Sequence, residues 1–376
     1  MPLGRSSDSC FAFARCIVSH TLTTSLPGGP MPNETPSVSV IVPVYNAQAT
    51  IDRCLDALEQ QTLPRARYKV IVVDDGSTDN TRQHIQGYAQ VHLLQQTHAG
   101  PAAARNLGVQ HARGEFVLFT DADCEPAPDW IEQMVAALND PQIAGAKGIY
   151  RTRQRALVAR FVQLEYESRY DRMNRHMARN GCIDFIDTYA AGYRRDVFQA
   201  SGGFDPSFAT ASVEDQELSF RIAGRGHRLV FAPQAIVDHW GHATTCGAYA
   251  RKKFKIGYHK VKVLTRHTGK TWTDSHTPQC LKVQIALLGL AGCALAAGLI
   301  WPRLMWAAAG LSTLFFLTTL PFAARAWKKD RAVALLSPIL LSLRALALGS
   351  GLLAGIAHAL VRSVARLVSR QGIDYH

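Results

Sequence analysis

Four aspartates stand in two pairs, Asp74-Asp75 and Asp121 with Asp123, and each pair follows a short apolar run, Val70–Val73 or Phe116–Phe119. Carboxylates gathered at neighbouring strand ends raise one another's pKa unless a cation sits among them. Their hard oxygens suit Mg2+ or Mn2+, ions that also bind phosphates. A third apolar run, Val38–Val42, ends at Pro43 and Tyr45. A ring such as Tyr45 can stack on a base, and Asp75 can accept a hydrogen bond from a base imino group. A further acidic pair, Glu214-Asp215, opens a helical pattern carried by Leu218 and Ile222. It is the best candidate for a base that takes the proton of an attacking hydroxyl. Taken singly, each has a plainer reading: Asp74 as a helix cap, Asp121 as a turn former, Glu214-Asp215 as favourable charge at a helix N-terminus. Taken together they point to a phosphate-containing ligand.

The elements that must position these residues are readable from the pattern. Val38–Val42 and Val70–Val73 are short and β-branched, as strands buried on both faces are. Ile51, Leu55 and Leu58 recur at helical spacing between them, through residues 48–61. His92-Leu93-Leu94 reads as a third strand, Gly100-Pro101 opens a helix running to Arg113, and Phe116–Phe119 is a fourth strand. Strands alternating with helices imply an α/β fold with a mostly parallel, doubly wound sheet, whose ligands bind beyond the carboxyl ends of the strands. No GxxxxGK and no GxGxxG accompanies the first strand, which disfavours a P-loop NTPase and a dinucleotide site.

Val38–Asn46 (VSVIVPVYN), Val72–Thr81 (VVDDGSTDNT), Gly100–Gly108 (GPAAARNLG) and Phe119–Asp123 (FTDAD) resemble, in order and spacing, the inverting family 2 glycosyltransferases of the Rossmann-like GT-A fold. The resemblance continues through Ala191–Phe204 and Val213–Arg221, and so covers about residues 37–240. It implies that Pro43, Tyr45 and Asp75 hold the nucleoside and that Arg105 lies near the nucleotide. It further implies that Asp121 and Asp123 form a DxD motif, with Asp123 the ligand of Mg2+ or Mn2+ and Asp121 nearer the ribose. By the same resemblance Asp215 is the catalytic base, while Glu214, Asp74 and His239 are second-rank site residues. The implied donor is a nucleotide-diphosphate sugar, with a UDP-sugar the family's commonest choice.

The remainder of the chain has a different character. Its 376 residues carry Lys+Arg 41 against Asp+Glu 29, a formal charge of +12 and a mean hydropathy of −0.03 that averages two unlike halves. Eight Lys/Arg and no acid lie between Gly241 and Lys270. Apolar sequence follows, so the basic stretch reads as a collar at a membrane surface rather than a nucleic-acid site. Val283–Trp301 and Leu304–Ala324 contain no charged residue and are long enough to span. Ala332–Val361 reads as a third span, with Arg344 snorkelling to the interface, although crossing would carry Arg362, Arg366 and Arg370 outside, against the charge bias, and a re-entrant or interfacial helix would keep them inside. The expected organisation is a disordered tail over 1–36, with translation starting at Met31; a GT-A domain over 37–240; a basic juxtamembrane segment over 241–280; a membrane domain over 281–361; and a basic tail over 362–376. Positive-inside logic puts the catalytic domain in the cytoplasm, on a multi-pass protein of the inner or plasma membrane. The scattered cysteines form no metal or disulfide pattern.

The expected activity is therefore sugar transfer to a lipid-linked or other membrane-proximal saccharide acceptor, in surface polysaccharide or glycolipid synthesis. The alternatives are a polyprenyl-phosphate sugar synthase and a non-catalytic, membrane-anchored nucleotide-sugar binding protein.

Overall fold

The computed structural model describes residues 37–208, 213–267, 275 and 277–371. The expectations for residues 1–36 and for a start at Met31 lie outside the described residues. Within them the chain runs β1 (Val38–Val44), α1 (Ile51–Glu59), β2 (Tyr68–Asp74), α2 (Thr81–Gln86), β3 (Val91–Gln95), α3 (Pro101–Gln110), β4 (Phe116–Phe119) and β5 (Cys124–Pro126). It continues through α4 (Trp130–Leu138), β6 (Ile143–Arg151), α5 (Leu157–Asn180), β7 (Ala191–Arg194), α6 (Arg195–Ala200), α7 (Glu214–Gly224) and β8 (Arg228–His239). Four helices complete it: α8 (Cys246–Arg266), α9 (Gln279–Gly298), α10 (Leu304–Trp327) and α11 (Arg331–Gln371).

One eight-stranded sheet has the order β3-β2-β1-β4-β7-β6-β8-β5. β1 pairs in parallel with β2 and β4, and β2 with β3. β7 is antiparallel to both its neighbours, and β6 and β8 are parallel. β1 and β2 are almost wholly buried because helices cover both faces, which is why their sequences are continuous β-branched runs. α1 turns Ile51, Cys54, Leu55 and Leu58 inward, the stripe its spacing predicts.

The chain divides into two compact units. The first contains the residues up to Arg151, Tyr170–Pro206 and Leu218–Asp238, and holds the sheet apart from the last residue of β8. The second contains Thr152–Arg169, Ser207–Glu217 and the chain from His239 onward. Two stretches from inside the 37–240 region thus pack with the C-terminal helices. Val158, Phe161, Val162 and Leu164 of α5 share a buried cluster with Tyr249 of α8 and with Val333, Leu340 and Leu341 of α11.

α9, α10 and Arg331–Arg362 of α11 are each long and apolar enough to cross a membrane. The basic collar forms the helix α8, capped by Thr245, whose hydroxyl accepts from Ala248 N–H at 3.2 Å. Arg344 does not snorkel, as its place in a long apolar stretch suggests. It is buried, donating through Nη1 to Glu165 Oε1 and through Nη2 to Gln284 Oε1, both at 2.7 Å. Its partners come from α5 and α9, elements far away in sequence.

Candidate active site

Because β1, β2 and β4 are adjacent and parallel, their carboxyl ends share one edge, and the loops after them form its rim. The loops after β1 and β2 are laced together. Asn46 takes φ +49°, a left-handed conformation that Asn tolerates better than most residues. Its amide oxygen accepts from Thr78 N–H at 2.8 Å, while Ala47 N–H donates to Thr81 Oγ1 at 2.8 Å. Pro43 is buried inside β1 opposite Val73, and Tyr45, just beyond, is exposed and stacks on His98 with centroids 4.2 Å apart.

Asp75 is buried, and its carboxylate is met by protein donors. Ala99 and Gly100 N–H donate at 2.8 and 2.9 Å, Gln96 Nε2 at 2.6 Å, and His98 Nδ1 lies 2.9 Å away. Gly100 reaches that position with φ +91°, in the left-handed region open to glycine. Asp74 is fully buried and takes both Nε and Nη2 of Arg82, at 3.1 and 2.8 Å, together with Ser77 N–H at 2.9 Å. It therefore shapes the turn that follows β2. Arg105, buried on α3, pairs with Asp121 at 2.8 Å. Asp74, Asp75 and Asp121 are thus each met by cations or amides of the protein itself. Gln96 and His98 carried no sequence signal, since nothing in their spacing marks a residue that folds back onto a strand end.

Asp123 immediately precedes β5, and β5 lies beside β8, the strand that ends at His239. The Asp123 carboxylate offers oxygens of the hard kind that Mn2+ and Mg2+ accept. The thiol of the next residue, Cys124, is 3.7 Å from Asp123 Oδ1. Burial, with Asp123 and Asp121 adding to it, pushes its pKa well up, so it stays a thiol. Two further couplings escaped the sequence. Asn106 brackets Phe204, donating to its carbonyl at 2.7 Å and accepting from its N–H at 2.9 Å, which pins the Gly202-Gly203-Phe204 turn. Lys147 forms a buried ion pair with Asp187.

In the second unit, Glu214 and Asp215 occupy the first turn of α7, with Glu214 buried and Asp215 half-buried. Asp215 Oδ1 accepts from Gln216 N–H at 2.7 Å. The segment carrying them is held by the C-terminal half of α8. Lys262 hydrogen-bonds Ser207 and lies 4.3 Å over the Phe208 ring, and His267, just past the helix, is 3.5 Å from Glu217. His239 is buried, its ring 4.6 Å from that of His242, and His242 stacks on Tyr166 of α5 at 6.1 Å. Burial, helped by His239 and two lysines, lowers the His242 pKa to about 2, so this ring is neutral. Next to Tyr166, Glu165 gathers Arg344, Tyr249 (2.9 Å) and Lys253 (3.3 Å).

Residues 39–202 match the model of glycosyl transferase family 2. The chain is 28% identical over 249 residues to the glycosyltransferase AglE of Haloferax volcanii, a match covering 62% of this chain and 76% of that one. It is also 28% identical over 250 residues to the pre-mycofactocin glycosyltransferase of Mycobacterium tuberculosis, covering 65% of this chain but only half the length of its relative. Among solved structures it is similar to the mannosyltransferase PcManGT of Pyrobaculum calidifontis, solved with GDP-Man and Mn2+. The TM-score is 0.56 at 22% identity, over 89% of this chain and 91% of that one. That likeness establishes the GT-A fold.

Proposed function

Residues 39–202 of this chain form a family 2 glycosyltransferase domain, and from that premise we propose that the chain transfers a sugar, with inversion, from a nucleoside-diphosphate sugar to a lipid-linked acceptor at the membrane. One observation carries the donor side: the ends of three adjacent parallel strands bring Tyr45, Asp75 and the Arg105–Asp121 pair to one edge of the sheet. In this reading the base stacks on Tyr45, beside Asp75. Arg105 fixes the Asp121 carboxylate so that it meets the ribose in one orientation. Asp123 would hold a divalent cation, which would supply positive charge against the leaving diphosphate. Asp215 takes the acceptor hydroxyl's proton as the acceptor oxygen bonds to the anomeric carbon. The bond from that carbon to the diphosphate breaks on the opposite face, and the electron pair leaves with the nucleoside diphosphate. The GDP-Man and Mn2+ of the fold neighbour favour a nucleotide sugar and manganese, while UDP remains the family's commonest nucleotide.

The membrane half supports an acceptor carried by lipid. Three apolar helices and the basic α8 support a second unit seated at a bilayer, and the excess of Lys/Arg supports a cytoplasmic side for the catalytic domain. The test is turnover by the purified full-length chain across UDP- and GDP-sugars, with and without Mn2+. Polyprenyl monophosphate and a polyprenyl diphosphate-linked sugar serve as rival acceptors. Asp215→Asn is expected to lose about 10²–10⁴-fold in kcat while keeping donor affinity, and Asp123→Ala to lose its response to Mn2+. Near-normal turnover by Asp215→Asn removes that residue from its role. Donor binding without turnover on any acceptor favours a binding protein.

A further inference from the structure

The donor reading asks two things of a nucleobase: a face laid on Tyr45 and an N–H given to Asp75. One side chain of this protein already does both. The ends of β1, β2 and β3 are tied together, with Asp75 N–H donating to the Val44 carbonyl at 2.8 Å and Gln96 N–H to that of Asp74 at 3.0 Å. His98 lies on the stretch between β3 and α3, and its ring stacks on that of Tyr45, with centroids 4.2 Å apart and planes 29° from parallel. Its Nδ1 is 2.9 Å from Asp75 Oδ2 and 3.1 Å from the Asp75 carbonyl oxygen. Both of these neighbours are acceptors, which assigns the imidazole hydrogen to Nδ1.

The Asp75 carboxylate cannot serve His98 and a base at once. Two carboxylate oxygens offer about four lone-pair sites. Gln96 Nε2 and Ala99 N–H take Oδ1, while Gly100 N–H and His98 Nδ1 take Oδ2. The two amides are fixed in the backbone at the entrance to α3, and Gln96 is half-buried. His98 is the exposed one, its side chain 54% accessible, and rotation about its own χ angles carries it into water without moving the loop. We propose that His98 is a stand-in for the nucleobase: it holds the base's place on Tyr45 and Asp75, and a nucleotide binds by displacing it. The inference rests on the donor reading above and narrows its ligand. A base inherits the bond to Asp75 only if it offers an imino N–H, as uracil and guanine do. Cytosine and adenine carry a bare ring nitrogen on that edge and would leave the buried carboxylate one donor short.

Calorimetric titration of the full-length chain in detergent with UDP, GDP, CDP and inorganic pyrophosphate tests this, wild type against His98→Ala. Removing a competitor strengthens what it competed with. Whichever of UDP and GDP the wild type prefers is expected to bind the variant at least about tenfold more tightly, the factor that ~1.4 kcal/mol of lost charge-assisted hydrogen bond supplies. Pyrophosphate, which has no base, is expected to bind as before, and CDP to stay weaker than the preferred nucleotide. An unchanged or weaker affinity for that nucleotide overturns the proposal, as do an equal gain for pyrophosphate and CDP binding as tightly. A second measurement follows the 13Cε1 resonance of His98 in the wild type, assigned by its loss in His98→Ala. It is expected to move to the position of a solvated imidazole when the preferred nucleotide is added, but not with pyrophosphate; a resonance that stays in place overturns the proposal. A wild-type chain that binds none of the three nucleotides overturns the donor reading itself, a result distinct from the sign of the His98→Ala effect.

Discussion

At the scale of single residues, the rim is built from acids whose partners divide the labour among them. Asp74 serves the fold, locked by Arg82 and Ser77, whereas the neighbouring Asp75 is fixed by amides at the entrance to α3 with Tyr45 and His98 stacked close by. Arg105 is a buried cation whose partner Asp121 is partly exposed, so the pair fixes the orientation of a carboxylate that solvent can reach. Charge-assisted hydrogen bonds contribute about 1.5–3 kcal/mol. Arg105→Met is therefore expected to raise the donor KM roughly ten- to a hundredfold with a smaller change in kcat. Steady-state kinetics with donor varied at saturating acceptor checks this. Which residues stand at the strand ends was legible from four short motifs. Which protein partners each of the two adjacent aspartates takes was not, because Arg82, Gln96 and His98 act through space and leave no pattern along the chain.

At the scale of elements, two contacts decide whether the second unit holds together. Gly351 lies where α11 and α8 approach closely, and a larger side chain must push them apart. Overpacking of this kind costs typically about 1–3 kcal/mol, so Gly351→Leu is expected to lower the unfolding midpoint, whereas Leu353→Ala on the exposed face is not. The second contact is the buried set around Glu165. Burial alone would raise the pKa of this carboxyl; Lys253, Arg344 and Arg169 overrule burial and hold it near about 2, below its ordinary 4.5. The folded state thus binds this proton less readily than the unfolded one. Glu165 contributes stability fully above about pH 4.5, and that contribution fades as pH falls toward 2. Glu165→Gln leaves two buried cations uncompensated, at about 3–5 kcal/mol. Its unfolding midpoint is expected to be lower at pH 7 and to change less than the wild type's between pH 6 and pH 3, measured by thermal unfolding in detergent. Burial also lowers the pKa of Lys253, to about 8, with Glu165 opposing. Raising the pH above 8 therefore weakens this ion pair from the lysine side.

At the scale of the whole molecule, a division of the chain at residue 240 cuts through a core. Thr152–Arg169 and Ser207–Glu217 belong with the C-terminal helices, and Val158, Phe161, Val162 and Leu164 lose their partners when those helices are removed. A chain ending at Trp240 is expected to be poorly soluble and to bind a hydrophobic dye, despite containing the whole of residues 39–202. Soluble yield and dye fluorescence against the full-length chain in detergent measure this.

Local order in the chain determined the α/β alternation, the strand-end aspartates, the family resemblance and the existence of long apolar helices. Each rests on residues a few positions apart, where periodicity and turn chemistry act directly. Tertiary structure decided the rest: that β7 runs antiparallel, that the basic collar is a helix packed on α11, and that Arg344 is paired with Glu165 rather than extended to an interface. The reason is electrostatic. A charge in an apolar stretch must either reach water or find a counter-charge, and the counter-charge lies 179 residues away along the chain, where no local pattern can announce it.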